Sequence, residues 1–489
     1  MLLGELVAHH AATHPAAVAL VVTAENRSIS YPMLADLIEQ AATALAGTGL
    51  NGGDVVGLRA PNTAAYIVGL LGAARAGLVV APLDPALPVA EQRDRMHRLG
   101  ARAVLTDAPA AALDGAPEII VGIDGSQCTV SGTSAEGGDP SAIGLTTDDA
   151  MVMFTSGTTG RPKMVPWTHD ALTAAMHNVV SAYGLRPEDA TVAVMPMFHG
   201  HGLVAGLLAT LSGGGTLGLP AKSRFSAHTF FDELAATRAT WVTAVPTIYQ
   251  VLLDVAPAGA PAAARLRFLR SCSAPLPPTV AGRLEEAFGA PVLPAYGMTE
   301  ATHQACAVTA TADTGTRLQT VGAPVGAELR IADTGEVWLR GPAVARGYLN
   351  DAAATAATFG DGWLHTGDLG SVNSAGVLTL RGRIKNIINR GGEKISPERV
   401  EDVLLAHPDV VQAAVFAVPD DKYGEQVAAV VVLRAGTSFD DAALRAFCAS
   451  RLAKFEVPER ISPVAELPVT AKGSVDRNRL AETYGHNTC

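Results

Sequence analysis

Cysteine is scarce and unpatterned in this chain: five residues in 489, Cys128, Cys272, Cys306, Cys448 and Cys489, odd in number and without a CxxC pair. Neither a disulfide framework nor a cysteine-built zinc site is therefore expected, and a reducing cytoplasm fits. Nothing in the sequence sets a base beside Cys272 or Cys306, so both read as small buried side chains rather than nucleophiles. Long apolar runs are also missing. Although 48% of residues are hydrophobic, Pro or charge breaks every Ala- and Gly-rich stretch before the roughly 18 residues a membrane span needs. The first residues, Met1 to Leu6, lack a basic n-region and contain Glu5, so no secretory signal is expected and the chain reads as cytoplasmic. Basic charge is in deficit: 36 Lys and Arg against 47 Asp and Glu give −11, which argues against nucleic acid or a membrane surface as partner but permits a local basic pocket.

What the chain does have is length and alternation. At 489 residues it exceeds what one core usually organises, so two or more domains are expected. Short apolar runs alternate with Ala-rich helical stretches (54–58, 64–76, 78–83), which predicts stacked α/β units with parallel strands. Residues 107–148, rich in Ala, Gly, Ser and Pro, read as a weak strand within mobile connections. Further strands are expected at 191–195, 240–244 and 291–294, with Tyr296 just beyond the last, where ligands of open α/β sheets collect. Beyond about 325 the texture turns to short β segments at 328–331, 335–340 and 376–381. A pattern of helix (396–406), strand (411–417), strand (426–433) and helix (440–452) closes the chain. No internal repeat or long low-complexity tract is visible.

The most informative stretch is Thr155-Ser156-Gly157-Thr158-Thr159-Gly160-Arg161-Pro162-Lys163, which follows the apolar run 150–154. Hydroxyls, glycines and cations after a buried strand form a phosphate-binding loop, yet the glycine spacing is not that of a Walker P-loop and no Gly-Lys-Ser/Thr follows. The nonapeptide resembles the phosphate loop of the adenylate-forming superfamily, which includes acyl-CoA synthetases, luciferases and peptide-synthetase adenylation domains. Six further blocks match that superfamily in order and rough spacing, from about residue 5 to residue 480.

The resemblance implies an α/β fold with a large N-terminal domain of stacked sheets plus a β subdomain (1–384) and a small mobile α+β C-terminal domain (385–489). It implies ATP and Mg²⁺ as co-substrates, with Lys163 and the loop Thr155 to Gly160 on the phosphates. In Tyr296-Gly297-Met298-Thr299-Glu300 the aromatic would lie near adenine, Thr299 on the α-phosphate and Glu300 on Mg²⁺, a role for a hard carboxylate. Ser273, Ala274, Ala295, Gly297 and Met298 complete the implied nucleotide site. Asp368 of Trp363-Leu364-His365-Thr366-Gly367-Asp368 would bind the ribose hydroxyls; Arg383 would bind ribose or phosphate, and Lys385 would be the hinge. Gly391, Gly392, Glu393 and Lys394 would shape the tunnel for a thiol acceptor, CoA being expected.

Phe198-His199-Gly200-His201-Gly202 offers two imidazoles, but further metal ligands at suitable spacing are lacking; the resemblance makes His199 a lining of the acid pocket and leaves His201 structural. The segments 198–208, 223–227, 240–247, 267–274 and 298–303 are similar to those of the oxalate-CoA ligase group, implying a very small acid contacted by Ser273 and His303. One departure stands out. The superfamily's terminal Pro-Lys-Thr-x-Ser-Gly-Lys is here Pro468-Val469-Thr470-Ala471-Lys472-Gly473-Ser474, so Ser474 replaces the catalytic lysine in a gapless alignment and Lys472 lies two residues earlier. Three readings follow: an AMP-forming ligase of a small oxalate-like acid, a diazotase that adenylates nitrite and delivers it to an aromatic amine, or a nucleotide-binding relative without turnover. The sequence does not fix the oligomeric state.

Overall fold

The computed structural model describes residues 2–109, 113, 116–134, 139–155, 161–256, 266–468 and 475–484. The alternating first half forms a seven-stranded sheet in the order Gln127–Ser131, Glu118–Asp124, Ala103–Thr106, Val55–Arg59, Val79–Pro82, Asp149–Phe154, Met164–Thr168. Its inner strands are parallel and each edge is finished by an antiparallel hairpin. Val55–Arg59 is buried along its whole length, which is what an apolar run inside a parallel sheet covered on both faces requires. The helix Ala64–Arg75 returns the chain to the next strand, its first turn capped by Thr63 Oγ1, which accepts from Tyr66 N at 3.2 Å.

Within 107–148, read from sequence as one weak strand in loose connections, the hairpin of Glu118–Asp124 and Gln127–Ser131 turns at Gly125 and extends this sheet. Gln127–Ser131 is an edge strand exposed at alternate positions, so its Gln, Thr and Ser composition resembles a loop while its pairing does not.

A second sheet carries Trp241–Ala244, Phe268–Ser271 and Val292–Tyr296 in parallel, then Cys306–Ala307 and Ala323–Pro324 antiparallel. Tyr296 is the last residue of its strand, paired with Cys306 rather than lying past the strand end. A third sheet joins Ala190–Val192, Thr216–Leu219, Val18–Val22 and Arg27–Ser30, and Thr240 N donates to Ala190 O at 2.8 Å, stitching it to the second.

The later texture gives a fourth, antiparallel sheet built on the long strand Trp363–Val372, with Leu378–Arg383 along one side. A smaller C-terminal α+β unit follows. It holds Glu393–Ile395, Ile388–Arg390, Gly424–Leu433, Val410–Asp420 and Arg460–Pro463 with helices Pro397–Leu405 and Asp441–Ala449. Ser396 and Asp440 cap those helices through their side chains. Among the described residues no helix is long and apolar enough to cross a membrane.

Candidate active site

Strand pairing brings the ends of the segment 155–163 together. Phe154 pairs with Met164, Thr155 N donates to Lys163 O at 3.0 Å, and Lys163 N donates to Thr155 Oγ1 at 3.3 Å. Ser156, Gly157, Thr158, Thr159 and Gly160 lie outside the described residues, as do Lys472 and Ser474.

The segment after Tyr296 folds back on itself. His303 N donates to Met298 O at 3.1 Å and Ala305 N to Tyr296 O at 2.9 Å. Gly297 makes this possible: a Cβ there would stand 1.4 Å from His303 O. Thr299–Ala301 forms a short 3₁₀ turn. Trp167 Nε1 donates to Thr299 O at 2.8 Å, and Ala345 N donates to Glu300 O at 2.8 Å. Thr302 and His303 occupy the left-handed region, with φ of 45° and 86°, and Ser273 across the site has φ 73°. Backbone strain of this kind costs on the order of 1–3 kcal/mol per residue and collects at functional sites.

Glu300 is 8% exposed and its Oε1 accepts from Tyr348 OH at 2.8 Å. The face of the same tyrosine carries the Lys163 ammonium, 4.4 Å from the ring centroid. Burial, then the neighbouring Glu300 charge, pushes the Tyr348 hydroxyl's pKa up, so it stays a donor. No sequence motif pointed to Tyr348. A lone buried carboxylate suits Mg²⁺ that arrives on a polyphosphate and keeps its waters, and among the described residues no group of three or more His, Cys, Asp or Glu is placed to hold a metal ion unaided.

Asp368 lies opposite Arg383 in the strand register. Its carboxylate accepts from Tyr296 OH at 2.6 Å and from Arg383 Nε at 2.7 Å. Burial raises its pKa above the usual value, opposed in part by Arg383 and Tyr296. Ala295 and Tyr296 therefore present their strand end toward Asp368, two residues from the fold-back loop. Lys385 sits in the exposed 3₁₀ turn Ile384–Asn386 after that strand. Gly391 and Gly392 form a two-residue hairpin turn with φ of 62° and 97° between Arg390 and Glu393. Gly391 N donates to Tyr423 O at 2.8 Å, which ties the turn to the C-terminal sheet beside Glu393 and Lys394. Among the described residues no hydrogen bond joins this turn to Asp368 or Glu300.

Facing the fold-back loop is a buried polar cluster. His201 Nδ1 lies 3.1 Å from Ser273 Oγ and its Nε2 lies 2.6 Å from Thr243 Oγ1. Its ring stacks on His303 with centroids 5.3 Å apart. Both imidazoles are held well below the usual 6.5, first by burial and then by the Arg270 guanidinium. His201, read from sequence as structural, is thus the imidazole in contact with Ser273, while His199 packs edge-on against Phe198 with centroids 4.6 Å apart. Ser273 and Ala274 lie two and three residues past the end of the strand Phe268–Ser271, and Ser273 is exposed.

This architecture has known counterparts. The family model described as "AMP-binding enzyme" matches residues 7–349, and that of the "AMP-binding enzyme C-terminal domain" matches 399–474. An "Oxalate--CoA ligase" of Arabidopsis thaliana is 41% identical over 488 residues, covering 94% of each chain. A "Sulfoacetate--CoA ligase" of Cupriavidus necator is 34% identical over 499 residues, 98% of this chain and 97% of its own. Among solved structures, ATP-bound MatB from Rhodopseudomonas palustris superposes with a TM-score of 0.86 at 29% identity over 99% of both chains.

Proposed function

Since the chain belongs to the adenylate-forming family of AMP-binding enzymes, in its oxalate-CoA ligase-like group, we propose that it activates a very small, doubly charged acid, oxalate fitting best, and transfers it to CoA. One observation carries this reading. His303, offered to the acid, stands three residues from Glu300, offered to the metal–phosphate side, on a single fold-back loop, an arrangement that supports a short acid held next to the nucleotide.

In the proposed first step one carboxylate oxygen of the acid attacks the α-phosphorus of ATP. The bond to the bridging oxygen breaks and pyrophosphate leaves with its electron pair, giving an acyl-adenylate. Asp368 and Arg383 would orient the ribose, Tyr296 the base, and Ala274, Ala295, Gly297 and Met298 would line the nucleotide. Lys163, Thr299 and the loop Thr155 to Gly160 would hold the phosphates, and Glu300 the Mg²⁺ that balances their charge. Ser273 and His303 would hold the acid, His199 lining the pocket beside them. Lys472 would take the position that Ser474 leaves without a cation. In the second step the smaller unit, residues 385–489, would turn about Lys385 and bring Gly391, Gly392, Glu393 and Lys394 around the incoming thiol. The thiol loses its proton, sulfur attacks the acyl carbon and AMP departs.

The test is pyrophosphate release from MgATP against oxalate, malonate, acetate and nitrite, with and without CoA, followed by mass spectrometry. Oxalate-dependent release yielding the CoA thioester is expected. Nitrite-dependent release coupled to diazotisation of an aromatic amine, without thioester, would replace the reading by the diazotase; nucleotide binding with no release from any acid would leave only a binding protein.

A further inference from the structure

Arg270 is fully buried in the middle of the strand Phe268–Ser271, and among the described residues no carboxylate pairs with it. Its partners are all uncharged. Nε donates to Tyr183 OH and Gln304 Oε1, both at 3.2 Å. Nη1 donates to Thr243 Oγ1 at 3.0 Å and to His201 Nε2 at 3.2 Å. Nη2 donates to His303 Nε2 and to Gln304 Oε1, both at 2.9 Å. A desolvated guanidinium is expensive unless an anion compensates it, and five neutral acceptors supply dipoles but no charge.

These contacts fix both tautomers. A guanidinium is always a donor, so each Nε2 it addresses is an acceptor without hydrogen, and each ring carries its proton on Nδ1. His201 Nδ1–H then donates to Ser273 Oγ, 3.1 Å away, which leaves the serine proton free to point outward. His303 Nδ1–H has no partner among the described residues. Two donors thus face the open site, each backed by the same buried cation.

We propose that Arg270 is a positioning residue that holds His201 and His303 as aligned Nδ1–H donors and supplies the positive charge by which the site selects acids bearing a second anionic group. This rests on the reading of the acid site given above. Arg270 does not touch the acid; it acts through the two imidazoles and Ser273. The strand register explains why it can: Arg270 pairs with Thr243, so both side chains leave the sheet on the face toward His201. Tyr183, the last residue of helix His169–Tyr183, closes the far side of the guanidinium.

The experiment compares acids matched in shape and different in charge, oxalate against oxamate and malonate against malonamate, in the wild-type protein and in Arg270→Gln and Arg270→Lys. It reads kcat and KM from pyrophosphate release, together with the melting shift each acid causes in ATP-saturated protein. Wild type is expected to favour the doubly charged member by roughly thirtyfold or more in kcat/KM, since the loss of a buried charge-backed contact is of that order. Arg270→Gln should bring the ratio to within about threefold, mostly through KM for the dianion, with little change for the amide. Arg270→Lys keeps the charge without the fork, so it should retain the preference while raising KM for both members of each pair. The melting shift caused by ATP alone reports that each variant is folded. A wild-type preference that survives in Arg270→Gln, or an unchanged KM in Arg270→Lys, overturns the role of Arg270 and leaves the substrate reading standing. A wild-type protein that shows no preference for the dianion, by turnover or by melting shift, overturns both.

Discussion

Replacing Gly297 with alanine tests the geometry of the site most directly. The added methyl would stand 1.4 Å from His303 O, 2.5 Å from its carbonyl carbon and 2.9 Å from Gln304 Cα. All three are backbone atoms of one loop, so no side-chain rotation relieves the clash. Bringing the oxygen to ordinary contact, 3.4 Å or more, requires the loop to retreat by about 2 Å. That retreat pulls on four hydrogen bonds: His303 N to Met298 O, Ala305 N to Tyr296 O, Trp167 Nε1 to Thr299 O and Ala345 N to Glu300 O. Losing two of them at about 1 kcal/mol each, with about 1–3 kcal/mol for overpacking, gives a destabilisation of roughly 3–5 kcal/mol. The same movement shifts Thr299, Glu300 and His303 together, and displacement by an ångström or more at reacting groups costs about a hundredfold in rate. The assay is pyrophosphate release alongside thermal melting. The control is Gly282→Ala, inside helix Pro278–Phe288, where a Cβ meets nothing within 4 Å; it should add up to about 1 kcal/mol of stability and leave turnover unchanged. A Gly297→Ala protein that melts and turns over like the wild type would refute the fold-back of this loop.

Tyr348→Phe removes the hydroxyl that Glu300 accepts from but keeps the ring under Lys163; about 1–2 kcal/mol, or roughly tenfold in kcat/KM, should be lost, with a raised Mg²⁺ requirement in titration. Asp368→Asn leaves Arg383 without its ion-pair partner and should weaken ATP binding by about ten- to a hundredfold in calorimetry; unchanged affinity would remove Asp368 from the nucleotide site. Acidification should destabilise the protein through His201 and His303. Their native pKa values lie well below the usual 6.5, so below that pH the unfolded chain binds protons that the folded one refuses. Stability is full above about 6.5 and falls beneath it by up to about 1.4 kcal/mol per imidazole per pH unit. His303→Asn should flatten that decline in melting temperature between pH 7.5 and 5.5, and an equal slope in both proteins would contradict it.

Where local pattern and tertiary role coincide, the sequence was easy to read. The apolar run 150–154 is a buried strand, and the segments 396–406 and 426–433 match Pro397–Leu405 and Gly424–Leu433 to within two residues. Features decided by distant partners were not legible. Gln127–Ser131 is polar because an edge strand is solvated on one side, and only its pairing with Glu118–Asp124 makes it a strand. Tyr348 sits in no motif, because its work is to reach two residues far away in sequence. His199 and His201 differ by two positions, and only the packing of the π-helical segment His201–Leu208 against the strand Trp241–Ala244 decides which of them meets Ser273. Arg270 was visible as a letter in a motif. Its burial without a counter-charge could be seen only once the surrounding strands and the fold-back loop were in place.

The tyrosine between Lys163 and Glu300 has a consequence beyond its two contacts. A lysine and a glutamate that share a site tend to collapse into a salt bridge and spend their charges on each other. Here the ammonium rests on the ring face and the carboxylate is engaged at the ring's outer end. The aromatic body acts as an insulating spacer, and among the described residues Lys163 forms no ion pair. Lys163 and Glu300 therefore remain a separated positive and negative pole, set apart by the width of one phenol. On the proposed function, a polyphosphate and its cation would enter as a matched pair, each finding its opposite pole without first having to break an internal bond.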